Sequence, residues 1–96
     1  TINSWLATKV TFFNELRSLY DASHTDIPWE NFTDMLMRDP RMGETHMQVP
    51  GPDRLPGFGG HCFPKDTAAL IHYAESLGVD LSVLDQAVTK NKNIRS

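Results

Sequence analysis

From Asp39 to Phe63 the chain holds four prolines (Pro40, Pro50, Pro52, Pro56) and five glycines (Gly43, Gly51, Gly57, Gly59, Gly60). Proline removes a backbone donor and glycine weakens regular elements, so neither a helix nor a strand can run through this stretch. A loop of about this length exceeds the usual 12 to 15 residues and is either disordered or functional. Its aromatic and apolar residues favour the ordered, functional alternative. Regular structure is therefore confined to the two flanks.

The flanks have a helical period. Residues 2 to about 21 form one helix, with Ile2, Leu6, Val10 and Phe13 on one stripe and Trp5, Phe12, Leu16 and Leu19 on another,. Thr1 is its candidate cap. The two stripes cover more surface than one buried face needs. One is expected to pack on the remaining helices and the other on a second copy, giving a homodimer through the first helix. Ser23-His24-Thr25-Asp26 reads as a loop. Pro28 suits the first turn of a second helix, whose apolar side is Trp29, Phe32 and Leu36 with Met35. That helix ends near Arg38, because Asp39 precedes Pro40.

A third helix is predicted from Pro64 to about Leu77, with Leu70, Tyr73, Ala74 and Leu77 facing in and Gly78 as its stop,. Asp80 or Ser82 can cap a fourth, carrying Leu81, Leu84, Ala87 and Val88. The polar end, Asn91 to Ser96, is expected to fray. No apolar/polar alternation of period two appears, so the fold class is all-α: about four helices with a long ordered Pro/Gly-rich loop.

Bulk composition narrows the function classes. The 96 residues carry a net charge of −3 without a Lys/Arg cluster, which argues against nucleic acid,. No apolar run nears the roughly 20 residues that span a bilayer, so no membrane partner is expected. A single cysteine cannot form an internal disulfide and fits a reducing cytoplasm,. His24, His46, His61 and His72 lack the paired spacing of a zinc site, so no metal is expected.

The run Gly57-Phe58-Gly59-Gly60-His61-Cys62-Phe63-Pro64-Lys65-Asp66 carries the chemistry. Glycines let a ligand approach the backbone, and successive N–H groups in such a turn can form an anion nest. The run leads into a helix N-terminus, which also favours negative charge, a phosphate above all. Cys62 sits just ahead of that terminus with Lys65 one turn on; both stabilise a thiolate, the attacking form. Asp66, four residues after Cys62, shares its helix face and can orient water, accept a proton or hold Lys65. Against this stand plainer readings. A lone cysteine is often a small buried hydrophobe, glycine runs are often only loops, and Lys65 and Asp66 suit any first helical turn.

The same ten residues resemble the cysteine motif of the UDP-glucose/GDP-mannose dehydrogenase family, Gly-(Phe/Tyr)-Gly-Gly-x-Cys-(Phe/Leu)-x-Lys-Asp. Asn3-Ser4-Trp5-Leu6-Ala7-Thr8-Lys9-Val10 with Phe13-Asn14-Glu15 is similar to a second family stretch. Asp39-Pro40-Arg41-Met42-Gly43 is similar to a third, Asp-x-Arg-(Ile/Met)-Gly. The three fall in the family's order and cover nearly the whole chain. The resemblance implies the central helical domain over residues 1–96, a dimerisation domain of the 6-phosphogluconate dehydrogenase C-terminal-like type. The Rossmann NAD domain and the C-terminal nucleotide-binding domain are expected to lie outside these residues.

The resemblance further implies oxidation of the C6 alcohol of a nucleotide sugar, UDP-glucose foremost, to a carboxylate, with NAD as cofactor. Cys62 would form a thiohemiacetal and then a thioester, Asp66 would assist water and proton transfer, and Asn3 would hydrogen-bond the reacting oxygen. Cys62 and Lys65 would border the cofactor. Asn3, Lys65, Gly57, Phe58, Gly59 and Gly60 would meet the substrate, and Arg41 would reach substrate bound to a partner subunit. The chain also departs from the pattern. The family's catalytic lysine would fall four residues before Asn3, ahead of Thr1, so these residues alone are expected to be inactive. His61 stands where serine is common, and Val49-Pro50-Gly51-Pro52-Asp53 belongs to some branches only. The alternative is a non-catalytic helical dimerisation module; a helical zinc or nucleic-acid module is disfavoured by spacing and charge.

Overall fold

A computed structural model describes residues 1–60 and 62–95. In chain order its helices are α1 (Ile2–Ala22), α2 (Trp29–Met37), α3 (Cys62–Ser76) and α4 (Ser82–Arg95), with no strand among the described residues. The all-α expectation of four helices holds. α1 is the spine: α3 and α4 pack on it and on each other. Its second half joins α2 and the long loop in an aromatic cluster.

That cluster centres on buried Phe13, Trp29 and Met47, with Leu16, Tyr20, Phe32 and Leu36 against it. The Trp29 indole meets Tyr20 and Phe32 at ring separations of 5.3 and 5.4 Å. Its N–H donates to the Met47 carbonyl at 3.1 Å, so a polar group that burial would otherwise orphan is satisfied. Arg17 lies over the indole at 5.3 Å and donates to the Val49 carbonyl at 3.0 Å. The Pro/Gly-rich segment is thus bound to the core by its own apolar residues, which is the ordered alternative.

The inward face of α1 differs from both predicted stripes. Ser4, Ala7, Thr11 and Asn14 are buried there, while Ile2, Trp5, Phe12 and Leu19 stand exposed. Two helices pressing on one side of α1 leave room only for small side chains. The Thr11 hydroxyl is satisfied by the Ala7 carbonyl one turn back, so its burial leaves no orphan,. Thr67 of α3 does the same with Phe63 at 2.8 Å. Thr1 takes the N-cap position of α1 without a side-chain bond, and Met35 of α2 is exposed.

α3 starts two residues before Pro64, at Cys62, and Pro64 sits in its first turn, where a missing N–H costs nothing. Thr67 and Ala74 are its buried residues, whereas Tyr73 and Leu77 point to solvent. The Val79 N–H closes the helix on the Ala74 carbonyl at 2.9 Å, in the Schellman manner around Gly78. α4 starts at Ser82, and the Leu81 carbonyl accepts from Asp85. The expected fraying does not occur over residues 91–95: α4 continues to Arg95 and buries Asn91. Ser96 and His61 lie outside the described residues. No helix among the described residues is long and apolar enough to cross a membrane.

Candidate active site

The glycine run is held by side chains from both flanking helices. Asn14 of α1 accepts the Gly57 N–H through its Oδ1 at 2.9 Å. Asn91 of α4 accepts the Phe58 N–H at 2.7 Å and donates to the Phe58 carbonyl at 2.8 Å. These bonds are buried, and they pair the loop's backbone as a strand neighbour would. The first two amides of the supposed nest are therefore committed to the protein. An anion at this loop would meet only the amides beyond Phe58.

The glycines also serve packing. A Cβ on Gly57, where φ is +75°, would lie 2.3 Å from Asn91 Oδ1, and one on Gly59 would lie 2.3 Å from Arg95 Nη1. Helix α4 thus fills the space on the Cβ side of Gly57 and Gly59. Gly60 alone of the three has open space there, and all three line the cleft that Cys62 borders.

Cys62 is a free, exposed thiol on the first residue of α3. It borders a cleft of about 600 Å³ whose walls include Val10, Phe58, Phe63, His46, Asp53 and Arg95. Phe58 and Phe63 meet edge-on at 6.2 Å. One turn along α3, the half-buried Asp66 accepts the Asn3 amide N–H at 2.7 Å. The structure therefore brings Asn3, Asp66 and Cys62, the three residues read as catalytic, to one end of α3. Lys65 is exposed and lies off the cleft wall.

Arg41 stands apart. It lies outside the cleft lining and is paired with Asp39, Nη2 to Oδ2 at 2.6 Å, with 88% of its side chain exposed. The guanidinium holds the Asp39 carboxyl below the usual range and is itself held more firmly protonated. The turn bearing it is pinned from below, since Lys9, only 6% exposed, donates to the Met42 carbonyl at 2.6 Å. Burial lowers the Lys9 pKa.

His46, Asn91 and Arg95 were missed as functional-site residues by sequence reasoning. His46 faces the cleft with a positive φ of 66°; its ring lies 5.7 Å from Phe63 and its Nδ1 2.7 Å from Thr45 Oγ1. Burial, then the Lys9 charge, lower its pKa. Asn91 had a signal: the spacing Leu84, Ala87, Asn91 continues the inward stripe of α4. Among the described residues no three His, Cys, Asp or Glu side chains group as metal ligands would.

Residues 1–93 match the pattern described as "UDP-glucose/GDP-mannose dehydrogenase family, central domain". The chain is 39% identical over 89 residues to a UDP-glucose 6-dehydrogenase of Pseudomonas aeruginosa, covering 93% of the chain and 18% of that protein. It is 36% identical over 90 residues to the enzyme of the same name from Rickettsia bellii, covering 94% of the chain and 19% of that protein. To UDP-glucose 6-dehydrogenase TuaD of Bacillus subtilis it is 31% identical over 93 residues, covering 97% and 19%. The chain thus spans about a fifth of the length of the curated relatives it matches. With its cysteine run, its Asn3–Asp66 pair and all but three residues matched, the chain belongs to the UDP-glucose/GDP-mannose dehydrogenase family, in the region of that family's central domain.

Proposed function

We propose that this chain supplies the thiol-bearing part of a cytoplasmic nucleotide-sugar 6-dehydrogenase, oxidising the C6 alcohol of UDP-glucose to the carboxylate. The observation that carries the reading is the position of Cys62: exposed, on the wall of the cleft, one helical turn before an aspartate that already holds Asn3.

Cys62 Sγ, as thiolate, attacks the aldehyde carbon, forming a C–S bond while the carbonyl oxygen takes up negative charge. The Asn3 amide has two N–H groups. One is spent on Asp66, and the other is a donor for that oxygen. NAD, when bound, supplies the hydride acceptor for both oxidations. The cleft suits a flat ring beside the thiol, with Phe58 and Phe63 as apolar walls and open space at Gly60. Cys62 would border the cofactor there, whereas Lys65, exposed off the cleft wall, would meet it outside the cleft. After the second oxidation Cys62 holds the carbon as a thioester. Asp66 accepts a proton from water as the water oxygen attacks; the C–S bond breaks, releasing the carboxylate and returning the thiolate. Lys65 and the loop from Gly57 to Gly60 would border the sugar nucleotide.

The test is the Cys62→Ala variant of the full-length protein. UDP-glucose binding should persist and uronate formation should stop; near-normal uronate formation overturns the reading.

A homodimer through α1 is proposed with it. Trp5, Phe12 and Leu19, seven residues apart, are 60%, 60% and 63% exposed on one side of the helix. In such a dimer the exposed Arg41 would reach the partner's substrate, as the family resemblance implies.

A further inference from the structure

The last turn of α4 contributes a second attachment to the cysteine loop besides Asn91. Arg95 Nη2 donates to Asp53 Oδ2 at 2.8 Å and to the Gly57 carbonyl at 3.3 Å. Its Nη1 lies where a Cβ on Gly59 would intrude. The guanidinium therefore touches both ends of the segment from Asp53 to Gly59, which walls the Cys62 cleft. Among the described lining residues it is the one arginine or lysine. Its Nε is buried with no hydrogen-bond partner among the described residues. The unbonded Nε carries a desolvation cost, against which the bonds of the guanidinium across the loop act,.

We propose that the Arg95–Asp53 pair is a latch that sets the opening of the Cys62 cleft, which makes Arg95 a positioning residue for the thiol. The pair closes the loop: Asp53 is drawn to α4 at one end and Gly57 at the other, so the loop cannot swing away from Cys62 without breaking it. Both partners keep some solvent contact, 22% and 43% of their side chains, so the latch is weak enough to open. Asp53 is built for ionisation, since the Leu55 amide and then Arg95 hold its carboxyl below the usual range. The latch acts on the loop whatever the enzyme oxidises; only its effect on substrate binding rests on the function proposed above.

The experiment uses the full-length protein and follows iodoacetamide labelling of the Cys62 peptide by mass spectrometry, with and without UDP-glucose. Asp53→Asn keeps an acceptor for the Leu55 amide, 3.1 Å from Asp53 Oδ1, while removing the charge. Arg95→Met keeps the aliphatic stem. Each variant should label Cys62 about two- to fivefold faster, the range of a partly exposed ion pair. The double variant should label no faster than either single. At 1 M salt, where screening acts within about 3 Å, the wild type should approach the variants while the variants stay put. An unchanged rate in Asp53→Asn, single effects that multiply in the double variant, or an equal salt response in all proteins overturns the latch. Should Arg95→Met fail to fold, Asp53→Asn and the wild-type salt response decide. If UDP-glucose does not slow wild-type labelling, the proposed substrate falls, and the uncomplexed rates still decide the latch.

Discussion

The Asn3 amide donates to the Asp66 carboxylate at 2.7 Å across 63 residues of sequence, joining the first turn of α1 to α3 one turn below the thiol. The bond uses one N–H of Asn3 and leaves the other, the donor proposed above for the reacting oxygen,. Removing an oxyanion donor typically costs about 10² to 10³ in rate. Asn3→Ala should lower kcat for UDP-glucose by about that factor in the full-length protein. Asn3→Asp should be worse still, because it sets two carboxylates within contact. A kcat within threefold of wild type in Asn3→Ala would remove Asn3 from the chemistry.

Asn91 bonds both backbone groups of Phe58 in a buried setting. Asn91→Ala leaves a buried N–H and a buried carbonyl without partners, at about 1 to 3 kcal/mol each. A loss of about 2 to 6 kcal/mol in urea unfolding is expected. Asn91→Asp should fall further than its size suggests, because it aims a carboxylate at the Phe58 carbonyl.

The folded-state pKa of His46 lies below its ordinary 6.5, through burial and the Lys9 charge. Well above pH 6.5 the ring is neutral folded and unfolded, and it contributes no pH dependence,. As pH falls below 6.5 the unfolded chain protonates first, so stability drops until the folded pKa is passed. Urea midpoints should therefore fall between pH 7.5 and pH 5.5, and His46→Gln should flatten that slope. An identical slope in both proteins would contradict the assignment.

Lys9 is a nearly fully buried ammonium with a carbonyl as its hydrogen-bond partner. Lys9→Met keeps the stem and removes the desolvation cost while giving up one bond. The melting midpoint should change little, by the equivalent of about 1 kcal/mol or less. The turn that carries Arg41 should loosen, and KM for UDP-glucose should rise with little change in kcat. A parallel fall of kcat and stability would mean that Lys9 serves the fold alone.

Phe12→Glu places a charge at the centre of the exposed α1 stripe and gives up one edge contact, with buried Phe13. Sedimentation of the full-length protein at micromolar concentration should show a shift from dimer toward monomer. An unchanged dimer would place the interface elsewhere.

The helices were readable because apolar period and stop signals are local: Pro28, the Asp39–Pro40 pair and Gly78 mark ends that the structure keeps. The inward face of α1 was not, since either apolar stripe could be the buried one until α3 and α4 are seen to cover Ser4, Ala7 and Thr11. Asn3 was named from the family resemblance and Asp66 first from its spacing to Cys62, whereas their bond to each other depends on how α1 meets α3. Gly57 and Gly59 were correctly taken as close-approach positions, but what approaches is α4. Asn91 and Arg95 looked like a solvated tail because side-chain bonds to a distant backbone leave no periodic trace.

The cysteine loop is knitted from three remote parts of the chain: Asn14 lies 43 residues before Gly57, and Asn91 lies 33 residues after Phe58. Its shape therefore depends on both α1 and the final turns of α4 being docked. A chain cut after Lys90 would keep every residue of the glycine–cysteine motif and most of the aromatic cluster. It would still lose Asn91 and Arg95, two of the three side chains that hold the motif. Reactivity at Cys62 would then report whether the far end of the domain is in place, long before any substrate is added.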